Sequence, residues 1–441
     1  MSKLGLRFDC SVSQAVCEVY QPLLFRESMQ AAALRLGDLP IDVFRSILST
    51  LDPDDDKPTL SACALLSRTC SDVARPILFN TVDIYSHELA QIADFIDGHL
   101  DIAMWIKKLR FRRRMILEVL DLTMLISVLS HLPAVRDLHF DMLILTNFPA
   151  TSMPDRPIGV RKLLVSFLLS DADTIPYPYP ALLSLFSPET LEIADSHNSS
   201  GEVVPPDYTP LHRPIRRLVL GYGATTAGDF AFLRAVMLPG HLQSFTAQLY
   251  GWLSIRNACA FIRDAAAGLT EVDLDACLLL QRDQLILSRI PALDSDEPDW
   301  GVLGKALCEC SQLESVRIRV PPSRTRRVND RTHINFEARY TIFAGILCTG
   351  HSGPSTLRRV IVRIDSTFVG SSTQKLEDGV ELWDLSVLDR ILSKDKFPRL
   401  DTVTVEIAVP RERDPEGIGK EVRKVLPNLG SAGLLQIVDL S

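Results

Sequence analysis

The sequence predicts an α/β protein: a helical module near the N-terminus, followed by an irregular solenoid built on a curved parallel sheet. Three observations predict it. An apolar-x-x-apolar-x-apolar template recurs from Phe79 to Leu440 at near-fixed spacing. Ahead of it, apolar residues from Ile41 to Val73 recur at the three- and four-residue spacing of helices. The 441 residues, 46% hydrophobic and 23% charged, are too many for one ordinary core and too apolar for disorder.

Residues 1–35 are an N-terminal segment that can be helical, and the module spans 36–81. Leu39-Pro40 opens its first helix, since proline is tolerated where the N–H would have no partner. Ile41, Phe44, Ile47, Leu48 and Leu51 share one face, and Asp52-Pro53 stops the helix. The run Asp54–Asp56 then precedes a second helix from about Thr59, whose N-terminus favours negative charge. Ala62, Leu65, Leu66, Thr69 and Val73 form its stripe, and Arg75-Pro76 ends it. Helices this short do not bury a core alone, so either a partner completes their face or they cap the repeats.

Residues 82–441 carry the repeats. The middle apolar positions are Val82, Leu109, Leu138, Leu163, Leu191, Leu218, Phe245, Val272, Val316, Val360, Val403 and Val438. Spacing is 25–29 residues up to Val272, then 43–44 for three repeats and 35 for the last, so repeats lengthen after about residue 290. Period-two alternation makes each template a short strand with one buried face. The chain returns as helix in Ala90–Ile102, Leu120–Leu132, Val302–Cys310 and Ile342–Leu347, with Pro321–Thr332 and Asp365–Gly379 as loops. Polar residues flanking the anchors then share the other face: Lys108, Arg110, Arg112, Asp137, His139, Asp141, Arg217, Glu271, Asp273, Asp275, Arg317, Arg319, Arg359 and Arg363.

Charge and motifs exclude several functions. The net charge is −8, and 15 acidic against 8 basic residues through Ala103 leave the repeats nearly neutral, without the basic field of a nucleic-acid binder. Nine scattered cysteines without a CxxC pair, and no signal-like N-terminus, point to a reducing compartment, cytoplasmic or nuclear. Glu118 and Asp121 interrupt the most apolar stretch, Met115–Leu132, so no membrane span is expected. Catalytic signatures are near misses: His87-Glu88 lacks the second zinc ligand at Gln91, and Gly221-Tyr-Gly223 has its third glycine, Gly228, two residues late for a dinucleotide turn. No enzyme activity, cofactor or metal is expected.

Leu36-Gly-Asp-Leu-Pro-Ile-Asp-Val-Phe-Arg-Ser-Ile-Leu-Ser-Thr-Leu51, continued by Cys63–Arg68 and Ala74–Phe79, resembles an F-box. The repeats resemble degenerate leucine-rich repeats, although the family's Asn or Cys five residues past the anchor is matched only by Cys277. The resemblance implies a substrate receptor of a Skp-cullin-F-box ubiquitin ligase. Leu39, Pro40, Ile41, Phe44, Ile47, Leu48, Leu51 and Leu66 would meet the Skp-type adaptor. A protein substrate would meet the concave sheet face through Arg110, Arg112, His139, Asp141, Arg217, Glu271, Asp273, Asp275, Arg317, Arg319 and Arg363. The alternatives are a scaffold whose helical module only caps the array, and an α/β hydrolase or transferase without a recognisable motif.

Overall fold

The computed structural model describes residues 40–52, 54–112, 118–147, 156–166, 169–170, 178–195, 211–249, 252–275, 300–319, 323–324, 334–335, 339–348, 355–365, 380–408 and 415–440. Contacts divide the chain into two compact units, Met1–Met153 with Leu169–Ile175, and Pro154–Leu168 with Pro176–Ser441.

The first unit opens with three helices: α1 (Ile41–Leu48), α2 (Lys57–Leu66) and α3 (Arg68–Leu78). The single second helix expected from the sequence is two, because Ser67 is extended (φ −159°, ψ 166°) and its hydroxyl accepts a hydrogen bond from the Cys70 N–H at 3.0 Å. Arg75-Pro76 does not end α3; Pro76 lies inside its last turn and the helix runs on to Leu78. Strands come next: β1 (Thr81–Ile84), β2 (Lys108–Phe111), β3 (Glu118–Asp121), β4 (Asp137–Asp141) and β5 (Leu143–Thr146). After them lie β6 (Ile158–Ser166), which belongs to the second unit, and β7 (Leu169–Ser170), which belongs to the first.

Within the first unit β1, β2 and β4 pair in parallel, and their anchors fall in register, Val82 beside Leu109 and Leu109 beside Leu138. Leu109, Phe111, Leu138 and Phe140 are buried, and the rings of Phe111 and Phe140 stack at 5.3 Å. The chain returns through helices Leu89–Gly98 and Leu100–Ala103, where the sequence predicts helix over Ala90–Ile102. A second parallel sheet, β3–β5–β7, is not anticipated by the repeat template. It takes the first residues of the expected helix Leu120–Leu132, which starts only at Leu122, where the Asp121 carboxylate accepts from the Met124 N–H at 3.0 Å.

The second unit continues with β8 (Phe186–Asp195), β9 (Arg217–Tyr222), β10 (Ser244–Gln248), β11 (Glu271–Asp275) and β12 (Ser315–Arg319). The two-residue strands β13 (Ser323–Arg324) and β14 (Ile334–Asn335) form an antiparallel pair, and most of the loops expected around them lie outside the described residues. β15 (Arg359–Asp365), β16 (Thr402–Ala408) and β17 (Leu435–Asp439) complete the unit. Nine of its strands, β6-β8-β9-β10-β11-β12-β15-β16-β17, form one parallel array in sequence order. The anchors align from strand to strand: Leu163, Leu191, Leu218, Phe245, Val272, Val316, Val360 and Val403 are consecutive register partners.

Helices cover the anchor face. Phe245 packs against Phe261 of helix Trp252–Ala265 at 5.2 Å and Phe230 of helix Ala227–Val236 at 6.4 Å. In the longer repeats, helices Trp300–Cys308 and Arg339–Cys348 stand where the sequence predicts Val302–Cys310 and Ile342–Leu347. The last anchor is a correction. Val403 pairs with Leu435, whereas Val438 pairs with Glu406 and so shares that residue's face, not the buried one. Leu435/Val438/Leu440 matches the template, but Leu435 and Ile437 continue the anchor row, because alternation along a strand allows only one parity inward.

Candidate functional site

Two surfaces carry the residues that the sequence singles out. The first is on the helical module. Pro40 is the N-cap of α1, and Asp42 sits in its first turn. The turn into α2 is knitted by its own carboxylates: Asp52 accepts from the Asp54 N–H at 2.7 Å, and Asp56 accepts from the Asp52 N–H at 2.8 Å. The carboxylates of Asp52 and Asp56 therefore shape the turn, while that of Asp54 is turned to Arg110.

Phe44, Leu48, Leu60, Cys70, Val73 and Ala74 form the module's own buried core, with Leu51, Cys63, Ala64, Ile77 and Leu78 packed around it. Phe44 and Leu48, expected on the adaptor-facing surface, are 4% and 2% exposed and so hold the module together instead. Ile47 and Leu51 are half-buried, and Leu39 lies outside the described residues. The outward residues are Pro40, Ile41 and Leu66, joined by Val43 and Leu65, which helical periodicity alone does not place there. Leu65 is 87% exposed and Leu66 59%, because the break at Ser67 turns the end of α2 away from the core. A stripe through Leu65 and Val73 requires one continuous helix, and the chain does not form one.

The second surface is the polar face of the strands. In the first unit it is partly taken by the helical module. Asp54 pairs with Arg110, Lys57 Nζ lies 3.2 Å from Asp83 Oδ2, and Arg112 Nε lies 3.2 Å from Asp83 Oδ1. Arg110 and Arg112 are thus already engaged from within the chain. His139 and Asp141 are half-buried on β4.

In the second unit the flanking charges answer one another. Asp273 pairs with Arg317 at 3.2 Å, Arg317 also reaches Glu406 at 2.5 Å, and Asp275 pairs with Arg319 at 2.7 Å. Glu271 pairs with Arg359 at 3.1 Å, reaching over β12, where small Ser315 stands between them in register. Glu271, Asp273 and Asp275 are therefore each paired with an arginine, and with Glu406 the four carboxylates of this network outnumber its three arginines by one. Arg363 is half-buried and also engaged; Arg217 is exposed. Glu406, only 8% exposed, is a member that the flanking-residue pattern omits, although its place one residue past Val405 gives it the right parity. Burial pushes the Asp273 carboxyl up, outweighing the pull of Arg317 and Arg319.

Burial raises the thiols of Cys63, Cys308 and Cys348 and pushes those of Cys259 and Cys310 up to about 12, the opposite of an activated nucleophile. Among the described residues no cluster of His, Cys, Asp and Glu is arranged to hold a metal, and no helix is long and apolar enough to cross a membrane. The glycines at 221 and 223 have structural roles. A Cβ at 221 would fall on the backbone carbonyl of Ala194 in the neighbouring strand, and Gly223 adopts φ +84°. No protein-family model and no curated protein matches the sequence.

Proposed function

We propose that this chain is a non-catalytic substrate receptor: an F-box-like module recruits a Skp-type adaptor of a cullin–RING ubiquitin ligase, and a degenerate leucine-rich-repeat solenoid presents its polar sheet face to a protein substrate. The observation that carries the reading is the exposure of four large apolar side chains, Ile41, Val43, Leu65 and Leu66, on a module that buries a core of its own. A helical cap on the array would turn such residues inward, so their exposure favours a docking module over a cap. The 25–29-residue spacing of the early anchors supports the repeat assignment. On the polar face, the charges most open to a substrate are Arg217 and the Glu271–Arg359 pair.

Co-purification of the full-length chain with a Skp-type adaptor tests the first half directly. The wild-type chain should retain the adaptor, and Leu65→Glu with Leu66→Glu should lose it at unchanged melting temperature. A wild-type chain that never retains the adaptor would remove the ligase role and leave a protein-binding repeat array.

A further inference from the structure

We propose that an ionic latch holds the helical module onto the polar face of the first strands, and that Arg110, Arg112 and Asp83 serve this latch rather than a substrate. The inference stands on contacts within the first unit and goes beyond the adaptor reading, which it does not need. The buried core of the module is built from helix residues, Phe44 and Leu48 of α1, Leu60 of α2, and Cys70, Val73 and Ala74 of α3. Core packing therefore defines the module as a body without fixing it to the sheet. Two attachments do that.

The first is at the C-terminal end of α3. The carbonyl of Asn80 accepts from the N–H groups of both Lys107 and Lys108 at 3.0 Å, and Phe79 stacks on Trp105 at 6.5 Å. This junction consists of backbone hydrogen bonds and one ring contact. The second attachment is at the turn before α2, which meets the polar face of β1 and β2. There Asp54 grips Arg110, and Lys57 grips Asp83, whose other oxygen faces Arg112. Each of the two carboxylates meets a cation, Asp54 one and Asp83 two.

The residue pattern fits this role. Asp83, Arg110 and Arg112 all have the parity opposite to the buried Ile84, Leu109 and Phe111, so the strands deliver them to one surface. The knitted Asp52–Asp56 turn places Asp54 and Lys57 three residues apart on the same side. The pairs are part-buried, with side chains 16–31% exposed for Asp54, Arg110, Lys57 and Asp83, so salt screens them less than a surface pair. A latch of this kind gives way to charge reversal more readily than to salt.

Lys57 and Asp83 supply the readout. A water-soluble carbodiimide activates the Asp83 carboxyl, and attack by the Lys57 amine forms an amide with loss of the activating urea, a bond of zero added length that forms only while the pair is closed. On the full-length chain, peptide mass spectrometry should find the Lys57–Asp83 crosslink, its yield falling modestly in 1 M salt. Arg110→Asp, which leaves both crosslinking groups in place although residue 110 stands beside Asp83 in register, should lower the yield several-fold, and Asp54→Arg combined with Arg110→Asp should restore it. Should Arg110→Asp fail to fold by circular dichroism, Asp54→Asn read the same way decides. An undiminished Lys57–Asp83 crosslink in either folded variant would overturn the latch and leave the pairs as independent surface contacts.

Discussion

Gly221 shows how a residue that resembles a ligand motif can be explained by packing alone. Its α-carbon faces the Ala194 carbonyl of β8 so closely that any side chain would collide with backbone, which cannot rotate away. Gly268 stands in the same relation to the carbonyl of Gly240, the last turn of one repeat against the next. Gly221→Ala should therefore cost about 1–3 kcal/mol, the range of overpacked cores, whereas Gly98→Ala, with open space around it, should be mild. Urea denaturation of the two variants compares them directly, and equal midpoints would show that β8 and β9 can move apart. Asp389 is a second residue that no sequence pattern singles out. Buried in helix Val380–Ile391, its carboxylate accepts from the N–H groups of Asn428 at 3.1 Å and Leu429 at 2.9 Å, the otherwise orphaned donors at the start of helix Pro427–Ser431. Asp389→Ala should cost about 1–3 kcal/mol, the penalty for buried donors left unsatisfied. Faster hydrogen exchange of the Leu429 amide, before global unfolding, would locate the loss at that helix.

At the scale of elements, periodicity makes most strands and return helices legible, and the errors have local causes. Eleven of the twelve anchors lie on the face the template assigns; the twelfth, Val438, fails because Leu435-x-x-Val438-x-Leu440 satisfies the spacing in the wrong parity. The break at Ser67 is hidden because Ala62 to Val73 reads as one amphipathic stripe; a serine cap can split such a stripe without a glycine or proline. That break separates the two roles of apolar residues in the module, and substitutions can tell them apart. Phe44→Ala empties the module's core and should cost about 3–5 kcal/mol, as for other buried phenylalanines. Leu66→Glu changes an exposed residue and should stay within about 0.5 kcal/mol, while on the proposed receptor reading it weakens adaptor retention. If Phe44→Ala left the melting temperature unchanged, the core assigned to α1–α3 would be wrong.

At the scale of the whole molecule, the parallel pairing of the anchor strands within each unit is legible from the repeat alone, whereas the electrostatics of the polar face is not. The sequence sets charges along each strand but does not say which strand's cation reaches which strand's carboxylate. Arg317 reaches across β15 to Glu406, 89 positions away in sequence, and no local pattern announces it. The consequence reverses a simple expectation. Were Glu271, Asp273 and Asp275 a free acidic strip, changing all three to Lys would leave folding intact and weaken only a bound partner. Since they pair with Arg359, Arg317 and Arg319, the triple reversal instead sets three cations against three cations on part-buried positions. Its cost should far exceed the about 0.5 kcal/mol of an ordinary exposed substitution. Asp273→Asn should behave in the opposite way. Burial raises the folded-state carboxyl above its usual 3.8, so ionised Asp273 is disfavoured in the fold, and Arg317 keeps Glu406 when the charge at 273 is removed. The stability linked to protonated Asp273 is fully present below 3.8 and is lost as the pH rises through the raised value. Wild type and Asp273→Asn should therefore melt together at low pH, and the variant should pull ahead as the pH climbs above that window. Melting curves taken across the acidic range on both proteins make the comparison, and a wild type that gains on the variant with rising pH would mean that the pairing with Arg317 outweighs the burial of the carboxylate.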